Sequence, residues 1–349
     1  MPEVSFIEVP GAKGDIGLIT LDRPQALNAL NHAMITAISA QLTVWATSPL
    51  IKAVIIHSSN RKAFCAGGDI RAIYELGRGD NAAVQHFFAD EYRLNYQIAT
   101  YPKPYVALLN GITMGGGAGL SLHGGLCLAT EDLIFAMPET GIGFFPDVGA
   151  SYFLSRCPDF IGLYLGLTGA RINAADVSSI GLIPHIIAQE STQDIIQTMA
   201  KHPLLGIADI SKILQPYFIA TISSSLRAIR HEIKQHFAKP SLAAIIASLK
   251  TSNSSFAQQT LATLASRSPT SLMVFWEAFT RGSQYNLKSC LQMEYTIMQQ
   301  FLHIPDLYEG IRAVLIEKDF QPRWDPNNIS LVSDIMLSSF FTPKQQEIL

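Results

Sequence analysis

Apolar and polar positions along the first 190 residues fall into short β-like runs separated by helical stripes. Asp15–Leu21 (DIGLITL) alternates with period two and stops at Asp22-Arg23-Pro24, which predicts a strand followed by a turn. Met34, Ile38, Leu42 and Trp45 then recur at helical spacing, so residues 31–47 should form an amphipathic helix. Residues 52–57 (KAVIIH) form a β-branched run expected as a buried strand, with 58–62 as a polar turn. Residues 70–99 read as helical with a polar face, and Pro102 and Pro104 stop them before a strand at Tyr105–Leu109. Asn173-Ala-Ala-Asp176 is an N-cap pattern for a short helix closed by Gly181, and 184–187 is expected as a strand.

This alternation of strand and helix points to α/β architecture. Beyond residue 190 the pattern changes. Glycine becomes rare, and stretches such as Leu226–Phe237 and 261–265 carry apolar residues at helical period, so the last 150 residues are expected to be mostly helical. The compositional change over 191–205, with Pro203, sets the expected division into 1–195 and 196–349.

One stretch departs from both patterns: 104–130 holds 27 consecutive residues without Asp, Glu, Lys or Arg. Its length suits a membrane span. It contains seven glycines together with Asn110 and His123, however, and each glycine costs a helix about 1 kcal/mol relative to alanine. A buried strand, a glycine turn and the start of a buried helix account for it better.

Composition agrees with a packed, water-soluble chain. Charged residues make up 15% of the sequence, against roughly 25% in an average protein, while 48% is hydrophobic and the mean hydropathy is +0.22. That supplies a core and excludes intrinsic disorder. A net charge of -3 and a pI near 6.3 provide no broad cationic field for nucleic acid or an anionic membrane. Cys65, Cys127, Cys157 and Cys290 lie 62, 30 and 133 positions apart, with no CxxC pair and no zinc-type spacing, so they read as reduced thiols and no metal is expected. The beginning MPEVSFIEVPGAKGD has no apolar core and carries acids early. The expected location is cytoplasmic, or the mitochondrial matrix only if a transit peptide has been removed.

Two glycine-rich loops follow expected strands: 63–69 (AFCAGGD) and 110–119 (NGITMGGGAG). Glycine permits unusual backbone angles and leaves N-H groups free to meet a ligand. Two such amides converging on one point would make an oxyanion hole for a thioester or ester carbonyl. Tight turns and close helix-to-strand packing explain the same glycines equally well. Glu139 and Asp147 lie in FAMPETGIGFFPDVG, an otherwise apolar segment shaped by Pro and Gly. Desolvation and mutual repulsion there would tune a carboxyl group for acid/base work near neutral pH, and helix capping or pairing with a basic residue is the plainer alternative. Ser121 and His123 make no GxSxG elbow, and Cys65 has no base nearby in sequence.

In order along the chain, LDRPQALNAL, AFCAGGDI, NGITMGGGAGL, FAMPETGIGFFPDVG and TGARINAADVSSIGL closely resemble the crotonase (enoyl-CoA hydratase/isomerase) superfamily. GITMGGGAGLSLHG and FAMPETGIGFFPDVG, with DLYEGIRAVLIEKDFQPRW near the C-terminus, are similar to its 3-hydroxyisobutyryl-CoA hydrolase branch. The resemblance implies a spiral of ββα turns with two stacked sheets, followed by a helical C-terminal region. It implies an oxyanion hole built from the Gly68 and Gly116 amides, and catalytic or substrate roles for Glu91, Glu139 and Asp147. Glu139 would attack the carbonyl or activate water, Asp147 would orient water or manage the proton for the leaving thiolate, and Glu91 would contact the hydroxyl of the acyl group.

Hydratases of this superfamily usually carry one of two catalytic glutamates at the position of Gly119, which here has no side chain. The resemblance therefore favours hydrolysis of an acyl-CoA thioester, as in valine breakdown, over hydration or isomerisation; a CoA-binding protein without catalysis is the third alternative. Lys62, Arg71 and Arg23 flank the motif loops and are the candidates for CoA phosphates, with solvated surface cations as the plainer reading. No cofactor is expected, CoA being part of the substrate. Superfamily members often form trimers or hexamers, so a homo-oligomer is one expectation, and a C-terminal region that covers the site within one chain is the other.

Overall fold

Ten strands, among the described residues, form two sheets. The structure is a computed structural model, and it describes residues 2–77, 79–203, 206–220, 223–343 and 347–349. In chain order the strands are β1 (Val4–Val9), β2 (Asp15–Leu21), β3 (Ile51–Ser58), β4 (Ala63–Cys65), β5 (Tyr105–Leu109), β6 (Ile112–Met114), β7 (Leu126–Thr130), β8 (Ile134–Ala136), β9 (Ile172–Asn173) and β10 (His185–Ile187). The larger sheet has the order β1-β2-β3-β5-β7-β10, and the smaller has the order β4-β6-β8-β9. β1 and β2 pair antiparallel, whereas β2-β3, β3-β5, β5-β7 and β7-β10 are parallel.

The expected strands at Asp15–Leu21 and Tyr105–Leu109 form with those bounds, and the expected helix at 31–47 forms as His32–Thr47. Asn31 caps that helix, its side chain accepting the Met34 amide at 2.9 Å. Asn173 and Asp176 form a reciprocal capping box on the helix Ala174–Ser179. The stretch 70–99 is two helices, Ile70–Gly77 and Asn81–Ala99. Asp80 breaks the run, its carboxylate taking the Ala83 amide at 3.0 Å to start the second helix.

The uncharged stretch 104–130 resolves into β5, β6, the short helix Gly116–Ser121 and β7. β5 and β7 are buried along their whole length, which explains their continuous apolar character. No helix among the described residues is long and apolar enough to cross a membrane.

The chain folds into two compact units. The first comprises residues 1–68, 93–135 and 172–224; the second comprises 69–92, 136–171 and 225–349. The compositional change near residue 195 lies close to where strands cease, since among the described residues every element after β10 is helical. Packing divides the chain differently, because the units interleave and the helices Thr192–Lys201 and Ile207–Leu214 belong to the first. Leu204 and Leu205, at the end of the expected boundary stretch, lie outside the described residues.

In the first unit Ile16, Ile55, Val106, Leu128 and Ile187 from the sheet pack with Ile195, Met199, Ile210 and Leu214 from those two helices. In the second, Phe145 stacks on Phe301 with ring centres 5.4 Å apart, Phe144 stacks on Phe88 at 5.4 Å, and Phe340 meets Phe301 at 4.9 Å. This aromatic core anchors the segment between Glu139 and Asp147.

Candidate active site

The two glycine loops meet in the first unit because their strands are neighbours. β4 and β6 are adjacent and parallel, with Ala63 opposite Ile112 and Cys65 opposite Thr113, so both chains leave the sheet at the same edge. Each then turns on glycine. Gly67 has φ +107°, and a Cβ placed there would lie 3.5 Å from the Met114 carbonyl oxygen and 3.9 Å from the Gly116 nitrogen. A Cβ at Gly117 would come within 2.6 Å of the Cys65 carbonyl oxygen, a contact that no side chain fits without moving backbone.

These glycines pack the two turns closely, which is the plainer of the two roles expected for them. Gly116 is the first residue of its helix, where an N-H has no intrahelical partner. At Gly68 the parallel bridge to Leu30 is made by the Gly67 carbonyl, which accepts the Leu30 amide at 2.8 Å. Gly119 is buried in the same helix and brings no acid.

Neighbouring side chains in this unit are engaged by the chain itself or buried. Ser121 donates to the Gly117 carbonyl at 2.7 Å and is fully buried. Cys65 and Cys127 are buried here, as Cys157 and Cys290 are in the second unit, and burial pushes the Cys127, Cys157 and Cys290 thiols up to about 12. Arg23 pairs with Glu3 at 2.9 Å and donates to the Ala29 carbonyl at 2.8 Å, so its guanidinium is engaged by the chain itself. Lys62 is exposed between β3 and β4.

The acids gather in the second unit. Glu91, Glu139 and Asp147 are buried, exposed by only 3%, 7% and 5%. Burial raises Glu91 well above the usual carboxylate range, and the Asp147 charge raises it further. Burial does the same to Glu139, with added repulsion from Asp147 and Glu91. Burial lifts Asp147 to about 7, although the Tyr92 hydroxyl, donating to its Oδ2 at 2.6 Å, pulls the other way. The structure thus brings together the three acids that the resemblance singled out. Glu139 Oε2 is buried without a hydrogen-bond partner among the described residues, so it is the acid best placed to accept a proton from a new donor. Arg71, also in this unit, is exposed and donates to the Leu315 carbonyl at 3.2 Å.

Two members of this cluster escape sequence reasoning. Tyr92 follows Glu91 directly and reads as one more polar-faced helical residue. Glu294 is fully buried on the helix Leu287–Phe301, its pKa raised to about 8 by burial. A signal existed for it: Glu294 occupies the apolar stripe formed by Cys290, Leu291, Ile297, Met298 and Phe301. Among the described residues no group of three or more His, Cys, Asp and Glu side chains could hold a metal ion.

Comparison with known proteins adds a third line. The family model described as enoyl-CoA hydratase/isomerase matches residues 16–341. The chain is 43% identical to the mitochondrial 3-hydroxyisobutyryl-CoA hydrolase of Xenopus tropicalis, covering 94% of this chain and 87% of that protein. It is also 43% identical to the protein of that name from Danio rerio, over 97% and 89% of the two chains. Among solved structures, a carnitinyl-CoA dehydratase from Mycobacterium thermoresistibile superposes with a TM-score of 0.92 at 35% identity, covering 100% of this chain and 99% of that one.

Proposed function

From the premise that the chain belongs to the enoyl-CoA hydratase/isomerase family, we propose that it is an acyl-CoA thioester hydrolase acting on 3-hydroxyisobutyryl-CoA, as in valine breakdown. The observation that carries this reading is the likeness, at 43% identity over nearly the whole chain, to relatives named for that reaction. The missing side chain at Gly119 supports it, since the superfamily's hydratases usually carry a catalytic glutamate at that position.

Thioester hydrolysis needs donors for the tetrahedral oxyanion and a carboxylate to supply or activate the nucleophile. The first unit offers the donors, the Gly68 and Gly116 amides, and losing one such donor typically costs about 3 to 4 kcal/mol of barrier. The second unit offers the carboxylates. Glu139, whose Oε2 has no partner among the described residues, serves as nucleophile or as the base for water. Asp147, held near neutral pKa, gives its proton to the leaving thiolate, and the proton that water releases on attack restores it. Glu91 contacts the substrate hydroxyl. Lys62 and Arg71 remain the candidates for CoA phosphates; Arg23 has the weaker case because it is paired with Glu3.

No step calls for a cofactor. The expected cytoplasmic location gains no support from relatives named as mitochondrial, and the choice between cytoplasm and matrix rests with cell fractionation.

A second reading, hydration or dehydration of an enoyl-CoA, is favoured by the likeness to the Mycobacterium thermoresistibile protein, which is named as a carnitinyl-CoA dehydratase. One experiment separates them. The purified protein is given 3-hydroxyisobutyryl-CoA, crotonyl-CoA and carnitinyl-CoA, while free thiol and enoyl absorbance are followed together. Thiol release from the first, lost in Glu139→Gln with CoA binding retained, is expected. A change in enoyl absorbance without thiol would establish the second reading, and binding without turnover would leave a CoA-binding protein.

A further inference from the structure

Glu294 has both of its oxygens taken up by the protein. Oε2 accepts the Gly149 amide at 2.6 Å, and Oε1 accepts the Ser151 amide at 2.9 Å and the Ser151 hydroxyl at 2.6 Å. One backbone amide meets each oxygen, and the Ser151 hydroxyl shares Oε1, so both positions must be oxygens; a glutamine side chain puts an NH2 donor against one of the two amides. Like-charge neighbours and complete burial both disfavour an acid at this place. The three bonds are what keep it there.

The turn that Glu294 holds is the one that carries Asp147. The Ala150 amide closes it on the Asp147 carbonyl at 2.9 Å. Val148 has φ +53° and Gly149 has φ +85°. Gly149 adopts that conformation freely, but for a β-branched residue it costs about 1 to 3 kcal/mol and persists only where the surroundings impose it. The backbone therefore reverses sharply immediately after Asp147, through a residue that resists the reversal, and the fastening point is the carboxylate that grips the next residues of the turn. At the other end, Asp147 Oδ2 is met by the Tyr92 hydroxyl.

We propose that Glu294 is a positioning residue: it fastens the strained turn at 147–151 and thereby fixes the direction of the Asp147 carboxylate. The inference rests on the hydrolase reading for its effect on turnover, and goes beyond it in giving a role to an acid whose contacts are all internal.

The test compares the parent with Glu294→Gln and Ser151→Ala in thiol release and in hydrogen exchange of the Gly149 and Ser151 amides. Glu294→Gln should lower kcat roughly 10- to 100-fold, the range for a reacting group displaced by about 1 Å, with KM within about twofold. The two amides should exchange at least about tenfold faster while other buried amides keep their protection. Ser151→Ala, which removes one bond of the three, should lower kcat a few-fold with KM unchanged. An unchanged kcat in Glu294→Gln overturns the proposal, as does a loss of kcat with unaltered exchange at 149 and 151. If Glu294→Gln does not fold, Ser151→Ala decides: unchanged kcat and unchanged Gly149 exchange overturn it. A parent that releases no thiol from any acyl-CoA sinks the hydrolase reading instead, and the exchange data still decide whether Glu294 fastens the turn.

Discussion

Asp147→Asn should make the protein more stable at alkaline pH while disabling the chemistry proposed for it. Burial lifts this carboxyl from 3.8 to about 7. At about 1.4 kcal/mol per pH unit, an ionised Asp147 at pH 8 costs the folded state roughly 4 kcal/mol relative to the unfolded chain. The sign follows from proton counting. Between about pH 4 and pH 7 the folded state holds a proton that the unfolded state has released, so stability falls as pH rises through that window. Asparagine removes the titration and keeps an oxygen to accept the Tyr92 hydroxyl.

The expected gain is therefore roughly 4 kcal/mol at pH 8, about 1.7 kcal/mol at pH 5, and under about 1 kcal/mol at pH 4, where the folded parent is protonated and the unfolded chain is only a little more than half ionised. For a chain of 349 residues the gain at pH 8 corresponds to about 5 °C in Tm. Equilibrium denaturation of parent and variant at the three pH values reads it directly. A variant less stable than the parent at pH 8, or one with the same gain at every pH, would falsify the electrostatic account of this acid.

Tyr92→Phe removes the hydroxyl that holds the Asp147 carboxyl down, so the titration of that group should move above about 7 and, with it, the alkaline limb of the pH-rate profile set by this proton donor; an unmoved limb argues against the contact. Gly117→Ala puts a Cβ within 2.6 Å of the Cys65 carbonyl oxygen and should force the two turns apart. A loss of roughly 100-fold in kcat is expected, with about 1 to 3 kcal/mol of stability, and turnover within about threefold of the parent would show that the loops need no such contact. Asn28 is fully buried, donates to Ser58 Oγ at 2.7 Å and to the Phe64 carbonyl at 2.9 Å, and accepts the Arg23 amide at 2.7 Å. Asn28→Ala should cost about 3 kcal/mol, seen as a fall of about 4 °C in Tm.

Local rules carry most of what was legible in the sequence. DIGLITL and YVALL became strands because their periodicity and β-branched content leave few alternatives, and Asn31 and Asn173 start helices because their side chains satisfy the amides that follow. The strand at 4–9 was not anticipated. It is an antiparallel edge whose partner, β2, lies across a turn with no tight hairpin signature. For the site, the glycine loops and the segment holding Glu139 and Asp147 stood out by composition, whereas Glu91 stood out only by resemblance. Its depth comes from long-range packing, which no pattern within its own helix records. Glu294 is the same problem in reverse: the pattern marked it as an oddity in an apolar stripe, but its partners at Gly149 and Ser151 lie more than 140 positions away.

The amides at Gly68 and Gly116 belong to the main chain, and their placement follows from two parallel strands that end side by side. Main-chain donors carry no side-chain identity. Substitutions around them can alter which acids are present without rewriting the donors, provided that nothing larger than hydrogen appears at Gly67 or Gly117. A scaffold of this kind separates what is inherited from what is varied. Under the proposed mechanism, the strand register would keep the donors for developing negative charge constant, and the choice of reaction would fall to the acids. Mutational scanning should accordingly find Gly67 and Gly117 intolerant of any side chain, and the acidic positions intolerant of a loss of charge.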